Sequence, residues 1–564
     1  MRCRPIWQKY SCGNVTKKAV PGDNGNVLRL TWERVGHGLG WVIFLGLVFG
    51  PLLALGFELD RYLGSSPNDW VRLLIPSGRR LLLLVRSLGL AAGVSLGGMI
   101  LGTLIASVLW RYRSGTGSRL RWLPVILAPI PPYIHALAWT STVCQINVWL
   151  EMHGLPRILL EGWWGSWWVQ VMALLPVAVG LALVGLEMVE RALIESARIL
   201  RSDFEVLTRI VLPLAAPVLF AGGGFLFLIS LTDYSVPSLF SVNVYPLEIF
   251  AEYSASAEPG RALLLALPLM VIAMSIVALL QFPLRNAALK PSQQKTPEIS
   301  AMDLPSWFSW LQRGALVLMI LQVIVPLVSL LTAAGTWSNL NLTVAASGRE
   351  ISYSFWVDLL ASVLCLPPAL SVARELLRND NRGRLAWLLV TIPLAIPAPL
   401  IGIGLIGVWN HPFLNSIYSG GGMPVLAAMS RFTPLSAMIL LAQLRRGDPL
   451  LIDAARVHQT SLVQTWTQVR LPLMAPGLLA AAGITFALTA GELGATLIVA
   501  PPGLGTLTMR IYNYLHYGST GQVAGLCLIM VLATASAGCL TVLGLMGWSR
   551  IAFWRGKLSR SDEV

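Results

Sequence analysis

Apolar residues in this chain come in runs of about twenty, parted by shorter segments rich in arginine, glycine and proline. A helix rises about 1.5 Å per residue, so roughly twenty apolar residues cross a bilayer core about 30 Å thick. Runs of that kind lie near 36–57, 82–110, 122–142, 168–189, 211–232 and 262–284. Six more lie near 314–334, 354–373, 385–409, 424–443, 473–499 and 522–548. The pattern predicts an all-α membrane protein with about 12 transmembrane helices. A polar, proline-containing linker at 285–313 separates two six-helix halves, 36–284 and 314–549, with tails at 1–35 and 550–564. The second half repeats the hydropathy of the first, which points to internal duplication. Two like halves around a central pathway are a common plan for transport proteins.

Composition supports the membrane reading. The 564 residues are 55% hydrophobic and 12% charged, where a soluble domain carries about 25% charged residues. The net charge of +14 is mostly a topology signal. Basic residues gather in alternate loops, as at Arg111, Arg113, Arg119 and Arg121 and again at Arg374, Arg378, Arg382 and Arg384. By the excess of positive charge on the inner side, both termini are expected in the cytoplasm. Basic residues so placed offer no soluble nucleic-acid surface, and no such partner is expected. The six cysteines form no Cys-x-x-Cys pair, and the histidines are dispersed, so no metal site is assigned. The tract "GWWGSWW" at 162–168 suits the headgroup level of an outer interface.

The duplication is sharpest between the fourth and fifth runs of each half. There the chain reads "ESARILRSDFEVLTRIVLPLAAP" at 195–217 and "DAARVHQTSLVQTWTQVRLPLMAP" at 453–476. Each copy predicts a short helix outside the bilayer, from Glu195 to about Leu200 and from Asp453 to about His458. Ser202 with Glu205, and Ser461 with Gln464, then form capping boxes that satisfy free amide donors at a helix start. Pro213 and Pro472 suit the first turn of the next helix, where a missing N–H costs nothing. Asp233 and Glu492 each follow that proline by twenty residues. Acids at membrane depth cost about 2.5–3.5 kcal/mol and usually face a cavity or a partner. The two are candidates for a substrate path, with Arg86 and Arg431 as possible counter-charges; an outer-interface helix end is the plainer alternative.

The acidic-Ala-Ala…Ser…Leu-Pro-Leu…Pro pattern resembles the "EAA" loop of bacterial ABC importer permeases, and two such loops in one chain resemble the fused twelve-span permeases for ferric iron and for thiamine. The segment "GELGATLIVAPPGLGTLTMRIYN" at 491–513 is similar to the ferric iron branch. Gln459 stands where that family has a glycine, and the first loop is one residue shorter. The resemblance implies a type I ABC importer permease fold in a bacterial inner membrane. It implies that the two loops couple to an ATPase subunit, a homodimer serving both. Glu195, Ala197, Arg198, Ser202, Asp453, Ala454, Ala455, Arg456 and Ser461 would carry that coupling. It further implies a soluble substrate-binding protein as partner, and ferric iron as substrate, with thiamine or another small solute as the alternative.

The chain has no G-x-x-x-x-G-K-[ST] phosphate loop and no HExxH set. It is therefore expected not to be an enzyme and to hold no cofactor, with ATP-Mg on the separate subunit. An ATP-independent secondary transporter is the rival class. Its Gly-x-x-x-Asp-Arg type of motif is missing from "RYRSGTGSRLRW" at 111–122.

Overall fold

The computed structural model describes residues 24–65, 70–111, 122, 124, 130–289, 302–447, 451, 462–517 and 520–561. Helices are the only regular elements among them. The first half holds α1 (Asn24–Ser65), α2 (Arg79–Arg111), α3 (Pro132–Met152), α4 (Gly162–Glu187), α5 (Arg191–Arg198), α6 (Asp203–Thr232), α7 (Ser235–Leu239), α8 (Tyr245–Ser256) and α9 (Pro259–Leu289). The second holds α10 (Ser306–Ala334), α11 (Trp337–Leu376), α12 (Asn381–Ala395), α13 (Ala398–Trp409), α14 (Met423–Leu444), α15 (Val463–Ala490), α16 (Thr496–Val499), α17 (Leu507–Tyr517) and α18 (Thr520–Ser561). Among the described residues ten helices are long and apolar enough to cross a membrane, or eleven with the bent pair α12–α13.

Three of the expected spans differ from their sequence pattern, each where proline or glycine interrupts it. The run at 122–142 becomes α3, which starts only at Pro132 and carries on to Met152. The run at 385–409 is two helices bent by 105°. Pro393, Pro397 and Pro399 remove amide donors there, and a proline ring collides with the preceding turn of an α-helix. Both breaks restart alike: Pro131 (φ −60°, ψ 141°) precedes α3 and Pro397 (φ −58°, ψ 138°) precedes α13. The run at 473–499 ends at Ala490, and Gly491–Ala495 form a turn before α16. Further differences lie at the tails and linker: α1 already begins at Asn24, and α9 and α10 reach in to Leu289 and Ser306.

Pro213 and Pro472 do not open new helices. Helix α6 is continuous from Asp203 and α15 from Val463. Just before each proline the helix widens into a π turn, Leu207–Val211 and Trp466–Arg470, closed by Leu212 N–H to the Leu207 carbonyl and Leu471 N–H to the Trp466 carbonyl. The wider turn makes room for a ring that an α-turn would exclude.

Packing repeats as the sequence does. Helices α2, α4 and α6 pack together in the first half, as α11, α14 and α15 do in the second. The leading helix of each half crosses to the other. Helix α1 lies against α11, α13 and α14, while α10 lies against α3 and α2. At one crossing a Cβ on Gly404 would stand 2.3 Å from the carbonyl oxygen of Pro51, so only glycine lets α1 and α13 approach that closely. A single buried cluster joins Leu55, Leu228, Leu231 and Leu269 to Ile396, Leu400, Ile401 and Val499. The tryptophan tract does more than stand at an interface: Trp167 packs against Gly93 and Gly97 of α2.

Candidate functional site

Four interruptions of helical backbone, two from each half, surround one cavity of about 260 Å³. They are residues 130–133 ahead of α3, 393–398 between α12 and α13, 232–235 after α6, and 491–494 after α15. Irregular backbone is tolerated at membrane depth only where protein or a cavity surrounds it. The repeated breaks in the sequence thus meet at one place.

The two acids close the breaks after α6 and α15. Asp233 Oδ1 accepts the Ser235 N–H at 2.9 Å and its hydroxyl at 2.6 Å, so Asp233 caps α7. Its Oδ2 accepts more distant donors, Gln170 Nε2 at 3.3 Å and Val236 N–H at 3.5 Å. Glu492 Oε1 accepts the Ala495 N–H at 2.8 Å, and Oε2 pairs with the Arg431 guanidinium. The sequence placed both acids at membrane depth, with a helix end as the plainer alternative; the structure puts both just past a helix end, where each organises the next short helix. Each also lines the cavity.

Gln170 is the ninth residue of α4 and Arg431 the ninth of α14, and each reaches the acid of its own half. The duplication is therefore symmetric in place and asymmetric in charge. In the second half an arginine neutralises the acid; in the first a glutamine does not. Glu492 keeps 4% of its side-chain exposure and Arg431 30%. Arg86, the other candidate counter-charge, is exposed on α2. Gln170 and Tyr234 are candidates that the sequence pattern did not single out. A signal for Gln170 existed: it is a polar residue inside the long apolar stretch of α4.

The first of the two repeated loops is also in view. Helix α5 starts earlier than expected, at Arg191, and stops at Arg198. Ile194 is buried among Val206, Leu207 and Val211, and Ala197 packs on the same cluster, so that face turns to the chain's own core. Glu195 is exposed. Arg198 makes a two-pronged pair with Asp203, Nε to Oδ1 at 2.7 Å and Nη2 to Oδ2 at 3.1 Å, across the turn that joins α5 to α6. The capping box is half formed: the Ser202 hydroxyl accepts the Glu205 N–H at 3.4 Å. The Glu205 carboxylate instead faces Arg201 and Arg209, at 3.5 and 3.6 Å. Two residues that the sequence analysis did not single out are the most outward, Ile199 at 83% and Leu200 at 84% exposure. The signal was an Ile-Leu pair inside an otherwise polar loop.

This loop is fastened to the second half. Asp203 Oδ2 accepts the Asp303 N–H at 2.6 Å, and the Phe204 ring meets Trp307 and Phe308 at the start of α10. In the second loop Asp453, Ala454, Ala455, Arg456 and Ser461 lie outside the described residues. Gln464 is described and lies in the first turns of α15, ahead of the π turn.

Fold and similarity together define an all-α protein of the multi-pass membrane class. Residues 366–549 match the family described as binding-protein-dependent transport system inner membrane component. Among similar proteins are permeases named for 2-aminoethylphosphonate transport. PhnV of Salmonella choleraesuis is 29% identical over 169 residues, 29% of this chain and 60% of the relative. PhnU of Salmonella typhi is 30% identical over 141 residues, 25% of this chain and 46% of the relative. The chain thus spans about half the length of these relatives.

Proposed function

We propose that this chain is the permease subunit of an ATP-binding-cassette importer in a bacterial inner membrane, with both termini cytoplasmic. A soluble binding protein delivers a small solute to it, and a homodimeric ATPase subunit with bound ATP-Mg drives the cycle. The observation that carries this reading is the twofold recurrence of one unit around a single cavity: loop, π turn, proline and helix-ending acid. The match over 366–549 supports it independently.

Coupling follows from the way the first loop is built. Ile199 and Leu200 present apolar surface for a groove on the ATPase, with Glu195 beside them. The Arg198–Asp203 pair makes α5 and the start of α6 move as one piece, and the contacts to Asp303, Trp307 and Phe308 carry that motion to α10. By sequence, Asp453, Ala454, Ala455 and Arg456 do the same for α15. ATPase closure can shift the permease only through contacts that differ between its two states.

For the substrate, the relatives' names favour 2-aminoethylphosphonate or a similar small phosphonate. The "GELGAT…IYN" segment favours ferric iron as a second reading. The test is purification of the tagged chain from its native membrane, followed by reconstitution. Recovery of an ATPase, with ATP-dependent uptake of one of these solutes, is the expected result. Leu200→Glu and Ala455→Trp should each abolish ATPase retention while membrane insertion stays normal. A chain that purifies alone and transports without ATP would overturn the reading in favour of a secondary transporter.

A further inference from the structure

The cavity is furnished for a particular kind of charge. Among the described residues no cation hydrogen-bonds the carboxylate of Asp233, because Gln170 stands where Arg431 stands in the other half, though the charge of Arg431 also acts on it. Its Oδ2 is held only by the two long bonds, which a cationic donor, about twice as strong as a neutral one, would displace. That end of the cavity favours an ammonium.

The other end favours an oxyanion. One guanidinium nitrogen of Arg431 is committed to Glu492, and the fork of an arginine carries five N–H donors. Arg431 lines the cavity and remains far more exposed than its partner acid. Tyr234 lines it too. Its side chain is 3% exposed, its ring stacks on Phe250, and its hydroxyl has no hydrogen-bond partner among the described residues. A buried hydroxyl left unpaired is destabilising, so a ligand that pairs with it recovers that loss. The N-terminal ends of α3 and α13 open on the cavity, as do the C-terminal ends of α6 and α15, so the helix dipoles there offset one another. The cavity thus offers a carboxylate at one end and a guanidinium with an unpaired hydroxyl at the other, which suits a solute with two separated charged ends.

We propose that the cavity is a transient binding site for a small zwitterion, which sets its ammonium against Asp233 and its oxyanion against Arg431 and the Tyr234 hydroxyl. The assignment rests on the importer reading for its role in transport, but the binding itself can be tested without it. Its volume of about 260 Å³ is ample for a small solute such as 2-aminoethylphosphonate.

The full chain, purified in detergent, should be heated with millimolar 2-aminoethylphosphonate, ethylphosphonate or ethylamine, and its unfolding midpoint followed. The zwitterion should raise the midpoint more than either half-molecule does. Asp233→Asn keeps an oxygen to accept from Ser235 and should weaken apparent affinity about tenfold or more, as should Tyr234→Phe. Each variant is read only if its midpoint without ligand matches the parent chain; one that does not is replaced by Gln170→Arg, which supplies the missing cation and should lower affinity likewise. No shift with the parent chain, or a shift that survives these substitutions undiminished, would overturn the site. ATP-dependent uptake by the reconstituted complex without any such binding would leave the importer standing and sink the cavity assignment. Binding by a chain that neither retains an ATPase from its native membrane nor takes up solute with ATP would do the reverse.

Discussion

At the scale of single residues, the Arg431–Glu492 pair is the costliest feature to disturb. Both groups are withdrawn from bulk water, and Glu492 is almost wholly enclosed. Breaking a buried pair from one side leaves an uncompensated charge and costs about 3–5 kcal/mol, whereas removing both charges costs much less. Arg431→Gln should therefore lower the unfolding midpoint sharply in detergent, and the double change Arg431→Gln with Glu492→Gln should restore most of it. Asp380 behaves differently because it sits in the loop between α11 and α12. It caps α12 by accepting the Gly383 N–H at 3.0 Å. Hydrogen bonds from Arg378, and then that amide, hold its carboxyl down to about 2. A depressed carboxyl stabilises above its unfolded value of about 3.9 and loses that contribution as pH falls through the folded one. Exchange of the Gly383 amide, taken relative to its intrinsic rate at each pH, should thus stay slow from neutral pH to about 4 and quicken only on approach to 2. Asp380→Ala should quicken it at every pH.

At the scale of elements, the π turn at Leu207–Val211 sets how the repeated loop before α6 is oriented. A π turn inserts one residue into the helix, and one residue is worth about 100° of rotation. The segment before Leu207 or Trp466 is therefore turned relative to the membrane helix that follows. Pro213→Ala lets ordinary α-turns form across 207–213 and should leave the unfolding midpoint unchanged or higher. On the proposed importer reading it should also raise the ATP hydrolysed per solute carried, measured in proteoliposomes, because α5 would then meet the proposed ATPase at the wrong angle. The same elements show how far the sequence was legible. Apolar runs announced nearly every membrane helix, since length and hydropathy are local properties. They did not announce that the runs at 385–409 and 473–499 break. Proline and glycine were visible there, but whether a helix kinks, widens or stops depends on what its neighbours supply to the freed backbone groups. Pro472 widened its helix; Pro397, in an equally apolar setting, ended one.

At the scale of the whole molecule, the halves hold each other by exchange of their leading helices. Helix α1 is anchored in the second half by Phe44 and Val48 against Ala369, Val372 and Trp387. Helix α10 is anchored in the first by Arg111, which donates to Gln312 at 3.2 Å, and by Gln312, which donates to Ser107 at 2.6 Å. The connection between halves is therefore not what keeps them together. If the chain is cut between 290 and 301 and the pieces are co-expressed, they should co-purify from membranes. Recovery of the tagged piece alone would contradict the exchange. Gly404→Val, which forces α1 away from α13, should weaken that co-purification and lower the midpoint of the intact chain.

The sequence by itself determined the helical class, the repeated loops, the two acids and their equal distance from a proline, because each depends on residues close together along the chain. Only the tertiary structure decided that the four helix breaks meet at one cavity. It also paired Gln170 with Asp233 and Arg431 with Glu492, and left the Tyr234 hydroxyl without a partner among the described residues. Those outcomes join groups some sixty residues apart or on opposite halves, and what brings them together is the burial of helix faces against one another. Hydropathy along the chain reports how much surface must be buried, but not against which partner.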